Sequence, residues 1–186
     1  MTAGPVLAAG ALVGLAGGTV ALLARGALTI DLGLGRTFRP LGPLTVHIAA
    51  PRDIVFDVVS TPYLGRLPRA LESKLEIVER GRDMVLAAHF TRLRGFVATT
   101  LETVRFEPPS SVQFRLVRGP VPYVVEEFVL HETNGGTELA YRGELGTDLW
   151  ALGRWWGERV GRIWEAVVRA SLEATKTEAE RRARRG

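Results

Sequence analysis

From residue 44 to residue 146 apolar and polar positions alternate in short runs broken by turn residues, and beyond 148 the repeat lengthens to that of a helix. The first run, Leu44–Ala49, predicts a strand. Pro51 then opens a helix whose apolar positions are Ile54, Val55, Val58 and Val59, and Pro62 is expected to close it. Tyr63–Leu67 reads as one further turn before Pro68. Six strand-like runs follow, near 71–80, 83–92, 95–106, 111–118, 122–132 and 136–146. Gly81-Arg82-Asp83, Leu93-Arg94-Gly95, Pro108-Pro109-Ser110, Gly119-Pro120 and Asn134-Gly135 separate them. The last pair predicts a type I′ hairpin turn. A long helix from about Asp148 to Arg182 closes the chain. Its charged stripe runs Arg154, Glu158, Arg162, Glu165, Arg169, Glu173, Lys176. Its apolar stripe reads Leu149, Leu152, Trp156, Val160, Ile163, Val167, Ala170, Ala174. The order of elements is that of an α+β domain with an antiparallel sheet and one long terminal helix.

The hairpin fixes a register. With Asn134-Gly135 as a two-residue turn, Leu130 faces Leu139, Phe128 faces Tyr141 and Glu126 faces Gly143 on one side of the sheet. Glu127 faces Arg142 on the other side, an ion pair suited to water. The first side is therefore the inner one, and Val112, Phe114 and Leu116 join it by the same alternation. So do Phe96, Ala98, Thr100, Glu102, Val104 and Phe106. Across the 92–95 loop the parity is open, and either His89 or Phe90 points inward. Two carboxylates, Glu102 and Glu126, thus fall on a largely apolar face with Thr100 and Tyr141. Two readings stand: an acid/base or ligand-polarising pair, or carboxylates at the mouth, solvated or paired with an Arg. Gly153, Gly157 and Gly161 add a ridge along the last helix, either for close packing or to leave room for a ligand.

Ahead of this domain, Pro5 to Ala24 is a run of twenty uncharged residues, long enough as a helix to span a bilayer. A signal peptide and a buried helix are its rivals. Arg25, Arg36 and Arg39 follow the run, which orients the rest of the chain to the cytoplasm as a single-pass protein of the cell membrane. Gly10, Gly14 and Gly18 form a ridge through which two such helices would pair as a homodimer. The expected organisation is a transmembrane anchor over 1–25, a Gly/Pro-rich linker over 26–43 and one domain over 44–186.

Charge and composition narrow the chemistry. The net charge of +4 comes from the two ends; residues 51–170 hold 16 basic and 16 acidic groups. A neutral body lacks the basic face that nucleic acid requires. Cysteine is absent, which removes disulfides, thiolate metal sites and cysteine nucleophiles. His47, His89 and His131 do not stand at metal-ligand spacing, and no phosphate loop or nucleophile elbow is present, so no metal or cofactor is expected.

Ala50-Pro51-Arg52-Asp53-Ile54-Val55-Phe56 after the first strand, Phe106-Glu107-Pro108-Pro109 between two strands, Gly135-Gly136-Thr137 opening the last strand, and the long amphipathic helix resemble the START-like helix-grip superfamily. The resemblance covers residues 44–183 and is greatest to the polyketide cyclase/dehydrase and lipid-transport group. It implies a bent sheet of about seven strands gripping the last helix, with a cavity between them for an apolar or amphipathic ligand. It does not imply one activity. The first expectation is a membrane-anchored protein that binds a hydrophobic small molecule or lipid without covalent chemistry. Its expected ligand-binding residues are Thr100, Glu102, Phe114, Glu126, Phe128, Leu130, Tyr141, Trp156, Gly157 and Val160. The alternative is a cyclase- or dehydratase-like enzyme using Glu102, Glu126 and Tyr141. A structural membrane protein with an empty cavity is the third reading.

Overall fold

The computed structural model describes residues 17–67 and 69–185. Among them, β1 (Thr37–Ile48), β2 (Leu75–Arg80), β3 (Met84–Leu93), β4 (Phe96–Glu107), β5 (Ser111–Arg118), β6 (Tyr123–Thr133) and β7 (Gly136–Thr147) make one antiparallel sheet in the order β1-β7-β6-β5-β4-β3-β2. A helical run over 17–24 (α1) precedes the sheet; α2 (Arg52–Leu64) links β1 to a single 3₁₀ turn at Arg69–Leu71, and α3 (Trp150–Ala183) ends the chain. The helix α3 lies across β1 and β7 and meets α2. The α+β reading, with its seven-stranded sheet and long last helix, holds.

Alternation produces the core. On β5, Val112, Phe114 and Leu116 are buried while Arg115 is exposed, and on β7 Leu139, Tyr141 and Leu145 are buried while Glu138, Arg142 and Glu144 face water. Each fully buried Leu or Val on this face contributes about 1.5–3 kcal/mol relative to exposure. The β6–β7 register is the one derived from the sequence, with Leu130 opposite Leu139, Phe128 opposite Tyr141 and Glu126 opposite Gly143. Glu127 and Arg142 pair at 2.7 Å on the wet side. The turn itself is not type I′: the left-handed φ falls on Gly136 (145°), not on Asn134 or Gly135. Pairing of Thr133 with Gly136 keeps the two-residue loop and hence the register.

Several boundaries differ from the sequence expectation. The helix α2 does not stop at Pro62 but runs to Leu64, since a proline in the last turn forfeits a single backbone bond; Gly65 N–H then closes the helix on the Thr61 carbonyl. β1 begins at Thr37 instead of Leu44, with a bulge between Leu41 and Leu44 that absorbs Gly42-Pro43. Residues 25–36, upstream of it, form a strap. Arg25 accepts from Thr99 N–H, the Thr29 hydroxyl donates to Gly119 O at 2.7 Å, and Leu32 and Gly33 N–H donate to the Asp148 carboxylate. The proposed span over 5–24 falls outside the described residues up to residue 16, as do Gly10 and Gly14; residues 17–24 are helical and largely exposed. Among the described residues no helix is long and apolar enough to cross a membrane.

The inner face of α3 is also rotated from the predicted stripe. Gly153, Gly157, Val160, Gly161, Val168, Leu172 and Ala179 are buried, whereas Leu152, Ile163 and Val167 are exposed. Counting large apolar side chains misplaced the face because glycines define it. A Cβ on Gly157 would lie 3.2 Å from the Thr147 side chain, and one on Gly161 would strike the Arg39 guanidinium. The missing side chains let the helix backbone close on the end of β7, so the ridge serves packing at these positions.

Candidate functional site

The inner face carries its chemistry on four strands and both long helices. β4 supplies Thr100 and Glu102, β6 supplies Glu126, β7 supplies Tyr141 and β3 supplies His89. α2 brings in Tyr63 and α3 brings in Trp164. Glu102 is opposite Leu116 of β5, and Glu126 is opposite Phe114 of the same strand. The two carboxylates thus stand two strands apart and two residues out of line, with backbones about 12 Å from each other. Both are buried, at 5% and 7% exposure.

Each carboxylate has its own donors. Glu126 Oε2 accepts the Tyr141 hydroxyl at 2.7 Å and the Trp164 indole N–H at 2.6 Å. Glu102 Oε1 accepts the Thr100 hydroxyl at 2.5 Å. His89 Nε2 is 3.0 Å from the Tyr63 hydroxyl, while its Nδ1 stands 3.3 Å from Glu102 Oε2 without hydrogen-bond geometry. That ring nitrogen is buried and has no hydrogen-bond partner.

Burial sets the protonation. Removal from water raises each glutamate to about 7, and at Glu126 the like charge of Glu102 adds to the rise. At Glu126 the donors from Tyr141 and Trp164 oppose that rise; at Glu102 only Thr100 does. Burial lowers His89 to about 4, with Glu126 pulling the other way, so the imidazole is neutral at pH 7. Burial also raises both tyrosines, which stay protonated. No described Arg or Lys is paired with either carboxylate. Both carboxyls therefore titrate near neutrality, and Glu126, with two donors against the one at Glu102, is the better supported as a carboxylate.

Aromatic rings wall the cluster. Tyr63 meets Phe106 and Phe114 at centroid distances of 6.0 and 5.7 Å, Phe114 meets Phe128 at 5.6 Å, and Phe128 meets Tyr141 at 5.2 Å. Tyr63, His89, Thr100 and Trp164 are partly exposed, so the cluster reaches the surface on their side. Two open depressions on the surface lie elsewhere, one at Ala50-Pro51 and Glu132–Gly136, the other between Asp53 and Pro108. Neither holds such a set of ionisable groups, and we place the site by its chemistry.

The structure distributes the expected residues unevenly. Thr100, Glu102, Phe114, Glu126, Phe128 and Tyr141 come together in the cluster. Leu130 and Val160 are core residues, Trp156 donates its indole N–H to Pro120 O at 2.7 Å, and Gly157 packs on Thr147. Three residues were missed. His89 was undecided, although Arg94-Gly95 is a two-residue turn that puts it opposite Thr100; Gly95 takes the left-handed φ of 85° there. Tyr63 lies past a proline read as a helix end. Trp164 follows Gly157 and Gly161 on the glycine face of α3 and was legible only by treating glycines as the inside.

Comparison with known folds agrees with this architecture. The Zhui aromatase/cyclase from Streptomyces sp. R1128 is 21% identical, with a TM-score of 0.65 over 78% of this chain and 96% of its own. The di-domain aromatase/cyclases BexL, of the BE-7585A biosynthetic pathway, and StfQ, of the steffimycin pathway, are 19% and 16% identical, with TM-scores of 0.56 and 0.61. Each covers 80% of this chain, which spans about half of either di-domain protein. At such identities the likeness is one of fold. No match is found among curated protein sequences. A family model, however, matches residues 44–180, from the middle of β1 almost to the end of α3. The chain belongs to the polyketide cyclase/dehydrase and lipid transport family.

Proposed function

We propose that the domain is an acid–base enzyme acting on a hydrophobic, carbonyl-bearing small molecule, with ring closure and loss of water as its reaction. The observation that carries this is the pair of buried glutamates, each raised to about 7, facing one aromatic-walled interior beside a neutral histidine. A pure binding site for an apolar molecule has no use for two buried carboxylates, because burying them costs free energy. The aromatase/cyclase activity in the names of the structural relatives supports the reading.

The steps follow from the donors. Glu126, as carboxylate, takes the proton from a carbon between two carbonyls. The enolate carbon attacks a second carbonyl carbon of the same molecule, and the Glu102 carboxylic acid protonates the oxygen, giving a β-hydroxy ketone. Glu102, now the carboxylate, removes the second proton from the same carbon, and Glu126, now the acid, protonates the hydroxyl that leaves as water, which returns both groups to their starting states. The bonded pair of Tyr63 and His89 supplies the neutral polar groups for holding a substrate oxygen in this reading. General acid–base catalysis of this kind contributes about 10²–10⁴-fold.

The test is incubation of a linear 1,3,5,7-tetraketone with the protein, followed by mass spectrometry; the carbon between its first two carbonyls closes a six-membered ring on the fourth. Loss of one water, faster than without protein, is expected from the wild type and not from Glu126→Gln. Recovery of the tetraketone unchanged, with a lipid extracted intact from the purified protein, would establish the binding reading instead.

We also propose that residues 5–24 attach the chain to a membrane with the domain on the cytoplasmic side. The uncharged run followed by Arg25, Arg36 and Arg39 supports this. Retention of the full chain in membranes through carbonate washing is expected; release into the wash would end the proposal.

A further inference from the structure

Beyond the buried cluster, the most unusual surface is where the strap meets the start of α3. Leu32, Leu34, Trp150, Leu152 and Trp155 are all more than half exposed there, and Leu28 joins them. They form one patch. Leu149 N–H donates to Leu34 O, Trp150 N–H donates to Gly35 O, and a Cβ on Gly35 would overlap the Trp150 ring. The backbone is built to present it. Leu149 and Trp150 both adopt left-handed φ, 71° and 48°, which non-glycine residues avoid. Asp148 fixes that conformation by accepting Leu32 and Gly33 N–H and the Arg36 guanidinium at 2.7 Å. Backbone strain and the part-buried Asp148–Arg36 pair thus hold a tryptophan in water at 62% exposure.

We infer that this patch docks the domain on the surface of a lipid bilayer, with Trp150 and Trp155 at the headgroup level. The inference rests on the attachment proposed for residues 5–24, and the occupant follows from where that segment ends. Its uncharged run leads through α1, with Val20 and Leu22 exposed, directly into Arg25, whose carbonyl is bonded to Thr99. The next residues are the strap that carries Leu28, Leu32 and Leu34. No slack separates segment from patch, so a bilayer that holds the one touches the other. The composition suits an interface: the same segments carry exposed Arg25, Arg154 and Arg159 against exposed Asp31 and Glu158, and the Arg159 guanidinium lies over the Trp155 ring at 5.6 Å. The strap also bonds Gly119, whose neighbour is the Thr100 side chain beside Glu102, so docking brings the bilayer to the cluster's end of the domain. An apolar substrate would then enter from lipid.

The test uses the full chain reconstituted in phosphatidylcholine/phosphatidylserine vesicles, with or without lipid brominated near the headgroup end of its acyl chains. Flotation reads attachment; quenching of tryptophan fluorescence reads docking. The wild type should float and be quenched, and Trp150→Phe/Trp155→Phe, which alters exposed side chains alone, should float equally while losing at least about half of the quenching. A chain that floats with unquenched tryptophans overturns docking and leaves attachment standing. A chain that does not float overturns both. Flotation without quenching, together with a dimer in sedimentation that Leu152→Glu dissociates, would assign the patch to a second copy and overturn the lipid reading.

Discussion

Glu126 accepts two neutral donors and Glu102 accepts one, and this asymmetry divides their roles. If Glu126 is the base, Glu126→Gln should lower turnover by about 10²–10⁴-fold, and Glu102→Gln should do likewise by removing the acid. Neither should unfold the protein, since a neutral amide replaces a buried carboxyl. Trp164 gives a finer test. Trp164→Phe removes the indole donor that favours the ionised carboxylate, so the Glu126 pKa must rise further. A hydrogen bond to a charged group is worth about 1.5–3 kcal/mol, which corresponds to about one pH unit or more. The acid limb of the rate profile should move up by that amount, a shift that a purely packing role for Trp164 would not produce.

At the scale of elements, α3 owes its seat to glycines and its start to Asp148. Gly157→Leu would drive a side chain into Thr147 and Leu145, and overpacking of this kind typically costs about 1–3 kcal/mol. Urea denaturation should show that loss. Asp148 is 2% exposed at its side chain and pins both the strap and Arg36, and the hydrogen bonds with Arg36 hold its carboxyl down at about 2. Asp148→Ala removes the acceptor of the Leu32 and Gly33 N–H groups and of Arg36, which keeps Asp31, and loss of hydrogen bonds to a charged group typically costs about 1.5–3 kcal/mol. Proteolysis within residues 25–36 should accelerate in parallel. Resistance equal to wild type would show that the strap is held by its other bonds, at Thr29 and Gly119.

For the whole molecule, the buried cluster makes stability depend on pH with a defined sign. Both glutamates bind protons more tightly folded, at about 7, than at their ordinary 4.5. Between those values the native state holds more protons than the unfolded state, so stability falls as pH rises from about 4.5 to about 7 and then levels. His89, lowered from 6.5 to about 4, acts oppositely: stability falls as pH drops from 6.5 towards 4. One imidazole set against two carboxyls leaves the downward trend in place over the shared range. Thermal unfolding between pH 5 and 8 should therefore show a lower Tm at the alkaline end, and the double variant Glu102→Gln/Glu126→Gln should flatten it. A wild-type Tm that rises over this range would contradict the buried, uncompensated pair.

Alternation along β4–β7 and the Asn134-Gly135 loop were enough to find the strands, the β6–β7 register and the inward direction of Glu102 and Glu126. These are local properties: side-chain period and loop length act between neighbours in sequence. The face of α3, the docking of Tyr63 against His89, and the anchoring of the strap on Asp148 were settled by tertiary contact alone. A helix rich in both glycine and large apolar residues has two candidate inner faces, and only the partner sheet, which rewards close backbone approach, chooses between them. The same holds for protonation. Charge pattern identifies a carboxylate, but the loss of water around it and the number of donors aimed at it come from strands and helices far apart in the chain.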